Sequence, residues 1–265
     1  MKKIINFLKM SGSGNDFVVV DNRRKIIANP AAFAKKYCHR KFGVGADGLL
    51  LVEKSKKYDF RMVYFNSDGS RAAFCGNGSR CISLFAFTNG IAPKKMIFDS
   101  DAGVICSEVK QGGTVKVRMP EPKGILLDLA IDVDGKKYRA AFANTGVPHT
   151  VIFVRDIENT DVEALGGKIR RHKMFAPAGT NVNFVKLLGK NKISVRTYER
   201  GVEGETLACG TGSVASAVIS ILKKYAASPV SAATRGGEIL KAYYDGKTAY
   251  FEGKVAISFE GKINL

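Results

Sequence analysis

Residues 74–81 read FCGNGSRC and residues 208–213 read ACGTGS. A cysteine running straight into a Gly-x-Gly turn therefore occurs twice, at Cys75 and Cys209, 134 positions apart. The same offset carries Gly76 to Gly210, Gly78 to Gly212, Ser79 to Ser213 and Gly12 to Gly146. It also lays GADGLLLV (45–52) over GTNVNFVK (179–186) and FDSDAGVI (98–105) over AATRGGEI (232–239). Four blocks sharing one gapless register predict a duplicated chain. Two copies of so long a period exclude a solenoid and predict two similar domains. We place them at 1–120 and 125–253, joined by MPEPKG (119–124). The tail 254–265 alternates like a strand and is free to pair back onto a domain.

Each copy follows one plan. A strand and a tight glycine turn lead into a second strand (FVVVD; TVIFV). A short helix follows, opened in the first copy by Pro30 and stopped near Gly43. Then come an apolar strand (LLLVE; VNFVK) and one of alternating character (YDFRMVYFN; KISVRTYER). The Cys-Gly-x-Gly turn opens a second helix, and hairpins close the copy with turns at QGG (111–113) and DGK (245–247). In the second copy Val214, Ala217, Val218, Ile221, Leu222 and Tyr225 lie at helical spacing, with Ser213 or Thr211 as cap. The first copy's helix is apolar nearly all round (CISLFAF). Both read as central helices, each wrapped by a curved, mostly antiparallel sheet, which makes an α+β fold.

The first turn of a helix leaves backbone N–H groups unpartnered and carries partial positive charge. A cysteine there is expected to have its thiolate stabilised and its pKa lowered. The adjoining N–H groups can hold a carboxylate. Two related domains facing each other would bring Cys75 and Cys209 to opposite sides of one ligand. One sulfur could then remove a proton from a carbon while the other delivers one from behind, which inverts a stereocentre. On the bland reading, each cysteine is a small buried residue and each Gly-x-Gly a mere turn.

The five cysteines (Cys38, Cys75, Cys81, Cys106, Cys209) include no CxxC pair, and the three histidines are scattered, so neither a disulfide framework nor a metal site is expected. MKKIINFLKM has too short an apolar stretch for a secretory signal and reads as a strand. No apolar run is long enough to span a membrane. These features predict a cytoplasmic protein with free thiols. The net charge of +18 is spread over the surface as pairs such as Lys94-Lys95 and Lys223-Lys224, without a basic stripe interleaved with aromatics. That favours a solvated basic face over a nucleic-acid groove.

The stretches SGSGNDFVVVD (11–21), GVGADGLL (43–50), YFNSDGSRAAFCGNGSRC (64–81), NTGVPHTV (144–151), AGTNVNFV (178–185) and TYERGVEGETLACGTG (197–212) resemble the diaminopimelate epimerases. These are amino-acid racemases that work without a cofactor. The resemblance implies that Cys75 and Cys209 form a thiol/thiolate pair, with His149 and Glu199 close by to set their protonation. It implies that Gly76, Asn77, Gly210 and Thr211 hold the reacting carboxylate through backbone N–H groups. Asn15, Asn66, Asn181, Glu199 and Arg200 would bind the ammonium groups and the distal carboxylate of diaminopimelate. No metal, nucleic acid or membrane is implied, and a homodimer is allowed. From the residues alone, Asn15 and Asn66 also suit turns, Glu199 and Arg200 an exposed strand end, and His149 a surface turn. Asp16 and Asp47 suit structural roles, satisfying turn N–H groups.

Two positions depart from the family pattern. Val147 stands where many members carry Asn, and Gly48 where some carry Gln. Competing readings are a related cofactor-independent racemase of another amino acid (of proline or hydroxyproline type, or of relaxed specificity), a basic nucleic-acid-binding protein without catalysis, and a pyridoxal enzyme. For the last, no lysine stands in a suitable motif.

Overall fold

The computed structural model describes residues 4–265. Its elements run β1 (Ile4–Gly12), β2 (Asn15–Asp21), α1 (Pro30–Tyr37), β3 (Gly48–Glu53), β4 (Phe60–Asn66), β5 (Arg71–Ala72), α2 (Gly76–Thr88), β6 (Lys95–Ser100), β7 (Gly103–Val109) and β8 (Thr114–Arg118). They continue with β9 (Lys123–Val133), β10 (Lys136–Asn144), β11 (Pro148–Phe153), α3 (Val162–Arg170), β12 (Asn181–Gly189), β13 (Lys192–Glu199), β14 (Gly204–Thr206), α4 (Gly210–Leu222), β15 (Val230–Thr234), β16 (Ile239–Tyr244), β17 (Ala249–Lys254) and β18 (Ala256–Asn264). The chain divides into two compact units, one up to Val117 together with Gly253–Leu265 and one of Arg118–Glu252.

Within the first unit β1 runs antiparallel to β2 and to the tail strand β18. Strand β2 is parallel to β3, β3 antiparallel to β4, and β4 parallel to β6, with β6–β7–β8 a pair of hairpins. The second unit repeats this ladder by ladder. There β10 is antiparallel to β9 and β11, β11 parallel to β12, β12 antiparallel to β13, and β13 parallel to β15, followed by β16 and β17. The units are therefore α+β, antiparallel in most pairings. Their register corrects the gapless offset, however. Phe17 lies opposite Gly48, but Val151, 134 positions on from Phe17, lies opposite Asn183 rather than Val182. One-residue insertions and deletions separate the copies, and the ladders align Phe17–Gly48 with His149–Asn181.

Hydrophobic pattern explains the layers. In β2 and β3 alternate side chains face opposite ways, and both faces are covered. Phe17, Val19, Leu50 and Val52 pack with Cys81, Ile82, Leu84 and Phe85 of α2. Val18, Val20, Leu49 and Leu51 pack with Phe33 and Ala34 of α1. Burial on both sides is why LLLV reads as a continuous apolar run. In the second unit Val182, Phe184 and Tyr198 pack with Val162 and Ile169 of α3, while α4 lies against β10–β13, β15 and β16. Helix α1 starts as its sequence dictates, with Pro30 in its first turn and Asn29 Oδ1 accepting the Ala32 N–H at 3.0 Å.

In the first core Phe60 stacks on Phe98 with ring centroids 4.5 Å apart, both fully buried. Phe98→Ala should lower unfolding stability by about 3–5 kcal/mol, through lost transfer energy plus the cavity left behind. Urea unfolding measures this, and a loss under about 1 kcal/mol would mean the core collapses around the gap.

Candidate active site

Both cysteines are helix N-caps with extended backbone, Cys75 (φ −149°, ψ 117°) for α2 and Cys209 (φ −117°, ψ 110°) for α4. Neither Thr211 nor Ser213 caps the second helix. Thr211 lies in its first turn, and Ser213 Oγ donates back to the Cys209 carbonyl at 2.9 Å. Cys75 Sγ accepts the Gly78 N–H at 3.3 Å, so this sulfur caps its own helix. Cys209 forms no side-chain cap bond; its Sγ lies 3.5 Å from Thr211 Oγ1, and against burial the Thr211 hydroxyl and the nearby Gly212 N–H both act to lower its pKa.

The expected fall in thiol pKa does not occur. Burial pushes the Cys75 thiol up, and the Gly78 and Asn77 N–H groups and Arg80 offset this only in part. Burial, followed by the Glu199 carboxylate, pushes Cys209 up to about 12. A helix terminus contributes a fraction of a charge, whereas desolvation acts on a whole one.

Cys209 stands at the end of a hydrogen-bonded row. Asn183 is fully buried. Its Nδ2 donates to the Thr150 carbonyl at 3.0 Å and lies 3.1 Å from His149 Nδ1; its Oδ1 accepts from Thr197 Oγ1 at 3.0 Å. His149 Nε2 in turn lies 2.9 Å from Thr211 Oγ1. The glycine after Thr211 makes this possible, because a Cβ on Gly212 would overlap Asn183 Oδ1 and meet Cys209 Sγ at 3.2 Å. Gly212→Ala should therefore destabilise the protein by about 1–3 kcal/mol, as overpacking does. It should also cut activity; a variant with unchanged melting temperature and turnover would contradict this packing.

His149 is fully buried rather than on a surface turn. Burial, and then the charge of Arg200, push its pKa down to about 3, so the ring is neutral. The unfolded chain would protonate it near pH 6.5. A depressed value of this kind stabilises the fold above that pH. The contribution is lost as pH falls from about 6.5 toward 3, at about 1.4 kcal/mol per pH unit. The His149 ring resonances should accordingly show no titration from pH 8 down to about 4; a midpoint near 6.5 would contradict the burial.

Glu199, at the end of β13, accepts from Thr206 Oγ1 at 2.6 Å. Asn181 ties three strand ends together. Its Nδ2 donates to the Pro148 carbonyl at 3.0 Å and its Oδ1 accepts the Arg200 N–H at 2.8 Å. The Arg200 guanidinium reaches the Ala178 carbonyl at 3.0 Å.

In the first unit the polar side chains form a second row. Arg80 Nη2 donates to Asn77 Oδ1, Asn77 Nδ2 to Asn15 Oδ1, and Asn15 Nδ2 to Asp47 Oδ2, at 2.9, 2.9 and 2.8 Å. Asp47 also accepts the Asp16 N–H at 3.1 Å, and Asp16 the Asp47 N–H at 2.9 Å, with Arg40 bridging both carboxylates. Lys9 and Arg40 hold the Asp16 carboxyl well below the usual range against the opposing effect of burial. Asn66 lies opposite Gly48 and donates to Ser70 Oγ at 3.0 Å, organising the 66–70 turn.

A family model for diaminopimelate epimerase matches residues 7–125 and 141–257. The chain belongs to the diaminopimelate epimerase family. It is 44% identical to the diaminopimelate epimerase of Aquifex aeolicus, over 98% of each chain. It is 45% identical to that of Archaeoglobus fulgidus, over 98% of this chain and 97% of the relative. Among solved structures, a phenazine biosynthesis protein of the PhzF family from Bacillus anthracis matches with TM-score 0.73 at 14% identity, covering 99% of this chain and all of that one. A hydroxyproline epimerase from Agrobacterium vitis matches with TM-score 0.67 at 15% identity, covering 100% and 94%. These two likenesses concern the fold.

Against this family background, Gly48 has a structural reason. A Cβ there would come within 2.6 Å of both the Phe65 carbonyl oxygen and Tyr64 Cε2, so the Tyr64 ring fills the space a side chain at 48 would need. Sequence reasoning did not single out Asn183 in the second unit or Arg80 in the first, whereas Asp47 accepts a turn N–H as its structural reading expected. A signal for Asn183 was present: two asparagines two apart, in the apolar strand NVNFV, share one face.

Proposed function

We propose that the protein interconverts the LL and meso forms of 2,6-diaminopimelate. One of Cys75 and Cys209, as thiolate, takes the α-proton, and the electron pair left on carbon delocalises into the carboxylate. The other, as thiol, gives its proton to the opposite face of the same carbon, so the thiolate ends on the second sulfur. The N–H groups of Gly76, Asn77, Gly210 and Thr211 hold the reacting carboxylate as its charge grows. Asn15, Asn66, Asn181, Glu199 and Arg200 hold the ammonium groups and the far carboxylate, with His149 and Glu199 setting the sulfur protonation. The two sulfurs account for both proton transfers, so the step needs no cofactor.

The observation that supports this reading most is that two matching units each begin their buried helix with a cysteine. Burial suits the thiolates as bases, since a raised pKa makes a stronger base once a substrate ammonium is near. We place the protein in the cytoplasm, where its five free thiols stay reduced. The test is turnover of LL-diaminopimelate beside glutamate, aspartate and proline. Diaminopimelate alone should turn over rapidly; comparable rates with proline would point to a ring-accepting racemase.

A further inference from the structure

The structure assigns Asn183 a positioning role: it fixes the proton on His149 Nε2, so that Thr211 accepts from the ring and turns its own hydroxyl proton toward Cys209 Sγ. The direction follows from donors and acceptors alone. The Thr150 carbonyl can only accept, so the atom of Asn183 that faces it at 3.0 Å is the amide nitrogen. Thr197 Oγ1 at 3.0 Å donates to the other end, which locks the amide against flipping. The second N–H of Asn183 then points at His149 Nδ1, 3.1 Å away, and makes that nitrogen the acceptor. The ring is neutral, so its proton is on Nε2 and is donated to Thr211 Oγ1 at 2.9 Å. Accepting from the ring leaves the Thr211 O–H proton free to be donated to the sulfur at 3.5 Å, and against burial that hydroxyl acts to lower the Cys209 pKa. Thr145 Oγ1 holds the Thr211 carbonyl at 3.0 Å and keeps the turn in place. Two charged groups also act on this row, the Glu199 carboxylate on Cys209 and the Arg200 guanidinium on His149. A donor on the sulfur stabilises its thiolate against both burial and Glu199.

A comparison inside the molecule argues that the row is not merely structural. The first unit has the same ladder, in which Phe17–Gly48 corresponds to His149–Asn181 and Val19–Leu50 to Val151–Asn183. There the places of His149 and Asn183 are held by Phe17 and Leu50, both buried in the core. Leu50 Cδ2 lies against Gly78 where Asn183 Oδ1 lies against Gly212. The fold is thus satisfied by hydrocarbon at these positions. The polar row of the first unit is built from other positions, Arg80, Asn77, Asn15 and Asp47, so a His–Asn pair at these ladder positions occurs, among the described residues, beside Cys209.

The inference draws the purpose of Cys209 from the epimerase reading, but its test does not need turnover. Asn183→Asp keeps the shape and can still accept from Thr197, yet it offers His149 Nδ1 no donor. In the free protein, nitrogen NMR should find His149 as the Nε2–H form in the wild type and as Nδ1–H or imidazolium in Asn183→Asp. Alkylation of Cys209 by iodoacetamide, read by peptide mass spectrometry at pH 7, should slow about tenfold, the size of one hydrogen bond to a charged group. Alkylation of Cys75 should keep its rate, which a general loosening would not allow. Thr211→Val, which removes the hydroxyl at nearly constant shape, should slow Cys209 in the same way and serves if Asn183→Asp does not fold. An Nδ1–H wild-type ring, or a Cys209 rate unaltered in either folded variant, would overturn the proposal. Failure to turn over diaminopimelate with these readouts intact would instead count against the epimerase reading.

Discussion

Cys75→Ser and Cys209→Ser should each lower kcat/KM for diaminopimelate by two to four orders of magnitude, the range that one positioned acid or base contributes. Serine keeps the size and the N-cap preference of the position, so the unfolding midpoint should stay near that of the wild type. What is lost is a group that can exchange a proton with carbon near neutral pH. Since the sulfurs act as a unit, the double variant should be little worse than either single one. Near-normal turnover in either single variant would leave only one residue acting on the substrate, and the two-base account would be wrong.

Arg80→Met should produce the largest loss of stability of any polar change in the first unit. Arg80 heads the largest fully buried side chains. It donates to Asn77 Oδ1 and the Lys254 carbonyl, each at 2.9 Å, and to Ser13 Oγ. Methionine keeps much of the volume but leaves those acceptors without a donor. Hydrogen bonds from a charged donor contribute about 1.5–3 kcal/mol each, so a loss above about 3 kcal/mol is expected in urea unfolding. Asn15 and Asn77 are oriented by the same row, so KM for diaminopimelate should rise with it. A loss below about 1 kcal/mol with unchanged KM would show that the row carries neither stability nor substrate geometry.

Much of this was legible in the chain itself. The Cys-Gly-x-Gly turns mark helix starts because few other patterns put a small polar side chain and permissive backbone just before an apolar run. The α+β class followed from strand periodicity around those helices. The strand register was not legible, since insertions of one residue lie in loops and leave every motif recognisable while moving partners by one. The thiol pKa was misjudged because sequence displays the helix terminus beside a cysteine and not the desolvation around it. The burial of Arg80 was not legible, because it depends on acceptors as distant in sequence as Ser13 and Lys254. Asn183 and His149 are 34 positions apart and meet only because β11 and β12 run parallel.

Two-base inversion is tested most directly by running the reaction in deuterated water from unlabelled LL-diaminopimelate and sampling early. The meso product should carry one deuterium, at the inverted α-carbon alone, while recovered LL substrate stays almost unlabelled, because the sulfur that removes a proton is not the one that returns it. Deuterium appearing equally in recovered substrate and product would mean a single base serving both faces, and product formed with its original hydrogen would rule out the proposed chemistry.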